Sequence, residues 1–124
     1  MALLINAADA SSATEVRRTF ISILEDLTPL DALLLDKIYS STMVSDIEAK
    51  IWTTFLPDHV TEKKPEQENR RPPHHVEVSL GNLARLGLIN AAMAWGGFAM
   101  FSCVHRTALG REFIKAIASD KAVA

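Results

Sequence analysis

Few residues in this chain have types and spacings suited to chemistry. His59, His74 and His75 come closest to a metal-ligand set. Adjacent histidines on a Pro-rich segment point in different directions, however, and no cysteine or carboxylate stands at ligand spacing from them. They read as exposed loop histidines, and neither a metal nor a cofactor is expected. Cys103 and His105 are an i, i+2 pair, which on a strand shares one face as a thiol nucleophile and its base would require. Their neighbours Phe98, Met100 and Phe101 make a dry setting that raises a thiol pKa, so Cys103 reads as buried filler. The acids Glu25, Asp26, Asp31 and Asp36 fall on helix surfaces and caps, with nothing placing two of them together for acid–base work. No Gly-rich phosphate loop and no nucleophile–base motif occurs. The expectation is of a protein that is not an enzyme and that has no evident small-molecule substrate.

Recognition chemistry is better represented. Asn82 and Arg85 lie where a recognition helix would present side chains to bases, and they are the types that read adenine and guanine. Residues 76–90 otherwise hold no base and one acid, Glu77, so phosphate-contacting capacity is poor and packing accounts for the pair more simply. Lys63, Lys64, Arg70 and Arg71 are interleaved with Glu62, Glu66 and Glu68, leaving a local surplus of +1, as on a solvated loop. Trp95 and Phe98 flank Gly96-Gly97, with Met100 and Phe101 just beyond. These four are the candidate partner-binding residues. Trp95 and Phe98 read equally well as a cross-strand aromatic pair or as an exposed tip that docks on a partner.

The elements that must carry these residues follow from periodicity. Val16, Phe20, Ile23, Leu24 and Leu27 form one helical stripe over residues 14–27, with Thr14 as its cap. Thr28-Pro29-Leu30-Asp31 combines a capping threonine, a proline at the first helical position and an acid at the third, and opens a second helix running to Tyr39. Its inner face is expected to hold Leu30, Leu33, Leu34 and Ile38. Ser45-Asp46-Ile47-Glu48 is another capping box and predicts a short helix ending near Phe55. Residues 57–75, with prolines punctuating a charged run, read as a mobile loop that is either disordered or functional. Ser79 is expected to cap a helix bearing Leu80, Leu83 and Leu86, which Gly87 ends by taking a positive φ. A hairpin about Gly96-Gly97 should pair Trp95 with Phe98, Met93 with Met100, Ala91 with Ser102 and Ile89 with Val104. Thr107 then caps a last helix with Leu109, Phe113, Ile114 and Ile117 facing inward. This is a mainly α chain with one β-hairpin, and a helix leading straight into a hairpin is the winged-helix arrangement.

Composition sets the limits. A chain of 124 residues is most simply one domain, and 48% hydrophobic content suffices for one core. One cysteine excludes an internal disulfide and fits a cytoplasmic protein. No apolar run approaches the length needed to span a membrane. The net charge of −2 is uneven: residues 1–60 carry 4 basic and 9 acidic groups, and residues 61–124 carry 9 and 6. A surplus of three spread over the second half is weak support for nucleic-acid binding, which needs a concentrated positive face.

Three segments together resemble the abortive infection alpha family, a bacterial group linked to phage defence. They are Leu4-Ile-Asn-Ala-Ala-Asp9 with Phe20-Ile-Ser-Ile-Leu24 and Leu27-Thr-Pro-Leu-Asp31; Ser79-Leu-Gly-Asn-Leu-Ala-Arg-Leu-Gly-Leu-Ile89; and Thr107-Ala-Leu-Gly-Arg-Glu-Phe113. The resemblance implies a C-terminal part of a longer protein, and it brings no catalytic residues. The expected function is therefore an interaction module of winged-helix type that self-associates or binds another protein, with a DNA-binding transcription regulator as the alternative.

Overall fold

The computed structural model describes residues 18–40, 49–66, 70–95 and 98–123. Within these the architecture is mixed α/β: four helices and a three-stranded antiparallel sheet. The elements run α1 (residues 18–26), α2 (Pro29–Ser40), β1 (Ile51–Trp52), α3 (His74–Arg85), β2 (Ile89–Trp95), β3 (Phe98–Arg106) and α4 (Ala108–Val123). No described helix is long and apolar enough to cross a membrane. Thr14, the Ser45–Glu48 box and the Gly96-Gly97 turn lie outside the described residues.

The two threonine caps form as the sequence predicts. Thr28 Oγ1 accepts from the Asp31 backbone N–H at 3.1 Å while Asp31 Oδ2 accepts from the Thr28 N–H at 3.0 Å, a reciprocal box that starts α2. The inner face of α2 is rotated from the expected one. Asp31, Leu34, Leu35 and Ile38 are buried, whereas Leu33 is 44% exposed. The rotation follows from Asp31 being turned inward onto α3. On α1, Ile23 is buried, Phe20 meets Phe113 of α4 edge-on at 5.5 Å, and Leu24 faces out. Phe113 and the fully buried Leu34, Ile38, Leu80, Leu83, Leu88 and Val104 make the centre of the core.

Two elements depart from the sequence reading. The expected helix reaching Phe55 is instead a strand, Ile51–Trp52, followed by turns. Ile51 pairs with Val104 and Trp52 with Cys103, so β1 adds to the hairpin as a third strand in the order β1-β3-β2. The Ile-Trp-Thr-Thr run suits a strand, and the free edge of β3 supplies the backbone partners that its helical spacing of Ile47, Ile51 and Phe55 did not foretell. In the segment expected to be a mobile loop, Thr61 exchanges backbone bonds with Trp52 at 2.7 and 3.4 Å, and Pro65 and Pro72 are buried. The second departure is α3, which begins at His74, with Pro73 at its cap position and no side-chain cap. Ser79 is therefore a mid-helix residue and not the cap.

The hairpin keeps its expected register near the tip, Trp95↔Phe98 and Met93↔Met100, then slips. Ala91 pairs with Val104 and Ile89 with Arg106, because three residues of β3 oppose Ala92 alone. The extra residues are used by the far edge: Thr53 N–H donates to Ser102 O at 3.0 Å and Thr53 Oγ1 to Phe101 O at 2.6 Å. The bulge thus lies where the chain after β1 docks.

The hairpin's two feet are fastened at one point. Gly87, at φ +80°, ends α3 with its N–H on Ala84 O and the Leu88 N–H on Leu83 O, both 3.0 Å. Thr107 Oγ1 donates to Gly87 O at 2.7 Å and accepts from the Gly110 N–H at 2.9 Å, capping α4. Tyr39 Oη donates to Leu88 O at 2.6 Å and accepts from the Thr107 N–H at 3.0 Å. Gly110 is obligatory here, since a Cβ would collide with Tyr39 Oη and Leu88 O. Beside it the buried Arg106 donates twice to Ile38 O, at 3.0 and 2.7 Å, and lies over the Tyr39 ring. A cation on the last carbonyls of α2 also favours that end of the helix dipole.

Candidate functional site

Outside that junction, Asp31 gathers polar partners from both α2 and α3. Ser79 Oγ donates to its Oδ1, and Asn82 Nδ2 donates to Oδ2 at 2.7 Å, in addition to the two bonds of the α2 cap. Burial alone would raise this carboxyl's pKa. The donors Ser79, the Thr28 N–H, Asn82 and the Thr28 hydroxyl together outweigh it and hold the carboxylate below its usual range. Sequence reasoning found Asp31 only as a cap. Its partners lie 48 and 51 residues away, and local patterning carries no signal for them.

This arrangement decides the position of Asn82 and Arg85. Asn82 spends its amide on Asp31 and its Oδ1 on the Arg85 fork, which donates from Nε at 3.0 Å and from a terminal nitrogen at 2.8 Å. Arg85 is further drawn to Asp26 at 4.0 Å. Both residues are thus tied to the α1–α2 corner. The corner and α3 enclose an open recess of about 470 Å3 with Leu30, Asp31, His75, Val78 and Asn82 in its walls.

The basic segment is similarly engaged. Arg71 makes a two-oxygen ion pair with Glu77 at 2.8 and 2.9 Å, and Arg70 Nε donates to Pro65 O at 2.9 Å. Lys63 and Lys64 line a second recess of about 380 Å3 with Phe55 and His59, whose rings stack at 4.9 Å. His59 Nδ1 donates to Asp58 at 2.7 Å, His74 begins α3 and His75 lines the first recess, so the structure does not bring the three histidines together. No group of three His, Cys, Asp or Glu suited to a metal occurs among the described residues.

The four partner-binding candidates all belong to the hairpin. Trp95 and Phe98 form the last backbone pair of the described ladder. Met100 and Phe101 are half-buried, and Phe101 packs toward Gly81 of α3. Cys103 is fully buried, and burial pushes its thiol pKa up, the wrong direction for a nucleophile. His105 Nδ1 donates to Ala49 O at 3.2 Å. From Leu88 to Val104 the sequence contains no charged residue.

A family model described as abortive infection alpha matches residues 1–99. The chain belongs to the abortive infection alpha family. The match takes in α1, α2, β1, α3 and β2 and stops just inside β3, so two of the three resembling segments lie within it and Thr107–Phe113 lies beyond it. No curated protein matches this abortive infection alpha chain, and neither does any solved structure.

Proposed function

We propose that this chain is a winged-helix-type protein-interaction module that self-associates or holds a protein partner in bacterial phage defence, and that it is not an enzyme. Membership of the abortive infection alpha family supports the setting. The winged-helix reading is supported by the order α2, β1, α3, hairpin, with β1 against the side of β3 opposite β2. The single buried cysteine is consistent with the cytoplasm.

One observation carries the choice of partner class. In a DNA-reading winged helix, α3 would offer its polar side chains to bases. Here Asn82 is consumed by Asp31 and Arg85, Arg85 is held near Asp26, and Arg71 is neutralised by Glu77. Freeing them would break several intramolecular bonds to gain intermolecular ones. The hairpin, with no charged residue from Leu88 to Val104, is the better surface for a protein.

Light scattering over a wide concentration range tests self-association: the expected result is a reversible dimer, and a strict monomer at the highest concentration removes that half of the proposal. Fluorescence anisotropy with duplex DNA should show no binding even at low salt. Binding that weakens steeply with added salt would instead favour a DNA-binding regulator. In cells, expression of the chain should lower phage yield with death of the infected cells, and an unchanged yield would remove the defence role.

A further inference from the structure

We propose that two copies of this chain join through the outer edge of β2, pairing antiparallel to extend the sheet across the dimer. The inference rests on the self-association reading above and names the surface that carries it.

The sheet's two edges are treated differently. On the β1 side, the strand is only two residues long, and its outer backbone bonds are taken by Thr61. On the other side, β2 runs for seven residues, Ile89–Trp95, and among the described residues it pairs with β3 alone. An unpaired edge of that length is a template for another strand, and chains ordinarily blunt it with a lysine, a proline, a bulge or an inward charge. Ile-Asn-Ala-Ala-Met-Ala-Trp has no charge and no proline, and the bulge of the hairpin adds its extra residues to β3, leaving β2 unbroken.

The occupant is argued from charge and symmetry. An incoming strand meets a surface with no charged residue between Leu88 and Val104, so a charged partner gains nothing and a second β2 meets no like charge. An antiparallel pair of identical strands is also self-complementary about a two-fold axis, the commonest symmetry of protein dimers. Full overlap of the seven residues centres the axis on Ala92, which places Ala91 opposite Met93 and Asn90 opposite Ala94 of the other copy. Ala92 has no partner residue on β3, so it is the position at which the edge can be altered with least harm to the hairpin.

The test uses the full chain. Ala92→Pro should shift the dimer to monomer, weakening association at least ~10-fold, while circular dichroism shows the fold retained. Ala92→Cys should form a covalent dimer under mild oxidation, because facing residues of an antiparallel pair lie within disulfide reach, and the native Cys103 is buried. If Ala92→Pro fails to fold, the cross-link decides. A wild-type dimer that Ala92→Pro leaves intact and that Ala92→Cys does not cross-link would overturn the β2 edge and leave self-association standing. A wild-type monomer would overturn both.

Discussion

The junction beneath the hairpin and the outer edge of β2 belong to the same supersecondary unit, yet they treat backbone polar groups in opposite ways. At the junction, Gly87 O, Leu88 O, Thr107 N and Gly110 N are each satisfied by a side chain or a cap, and Gly110 leaves no space unfilled. Along β2, seven residues present a backbone edge that the described chain does not use. Polar groups that cannot reach water must be bonded internally, whereas those at a surface can wait for water or a partner. The contrast separates residues that hold the fold from residues available for association, and substitutions in the two regions should divide accordingly.

The sharpest break is expected from Gly110→Ala. With no room for a methyl between Tyr39 and the backbone of Leu88, α4 or Tyr39 must shift, at a cost of about 3 kcal/mol. Thermal unfolding should move down by roughly 10 °C; a shift of a degree or two would show that the junction is not tight. Asp31→Asn comes next, at about 2 kcal/mol near neutral pH, because Ser79, Asn82 and Thr28 lose their shared anionic acceptor. Its pH signature is distinct. The folded carboxyl's pKa is depressed, so its contribution is fully present above the unfolded value of about 4 and is lost as pH falls through the lower folded value. Denaturant titrations on acidification below about pH 4 should therefore show a smaller decline for the variant than for wild type, and parallel curves would sink this account of Asp31.

Thr107→Ala removes one cap and one tie to Gly87 and should cost about 1 kcal/mol by chemical denaturation. At the small end, Asn90→Lys on the exposed part of β2 should change stability by less than about 0.5 kcal/mol. It adds to the edge the charge that the strand lacks, so a dimer weakened with the melting curve unmoved is the expected pairing of results. A melting loss as large as that of Thr107→Ala would show that Asn90 belongs with the residues that hold the fold.

These two regions were unequally legible in the sequence. The Thr28–Asp31 box, Gly87, the hairpin and Thr107 were readable because each is a local device whose partners lie within a few residues. Partners at long separation were not. Nothing near Asp31 announces Ser79, nothing near Arg106 announces Ile38, and the register slip after Ala91 answers to Thr53, 48 residues before its acceptor Phe101. The β1 region carries a helical pattern in the sequence because two strand residues are too few to establish an alternation against helically spaced apolar neighbours. For the candidate site, the sequence shows the residue types at 82 and 85, but whether such side chains face a ligand or a neighbouring helix is a tertiary fact.

The shared anchorage of both hairpin feet bears on how copies can come together. Trading the hairpin between molecules would require Gly87 and Thr107 to part and the connections to straighten, yet Thr107 Oγ1 bonds Gly87 directly and Tyr39 spans Leu88 and Thr107. Exchange of this kind needs a compliant hinge, and here the hinge points are riveted to each other. Assembly should accordingly proceed by lateral addition of intact molecules, fast and reversible on dilution, with no slow refolding of entangled pairs.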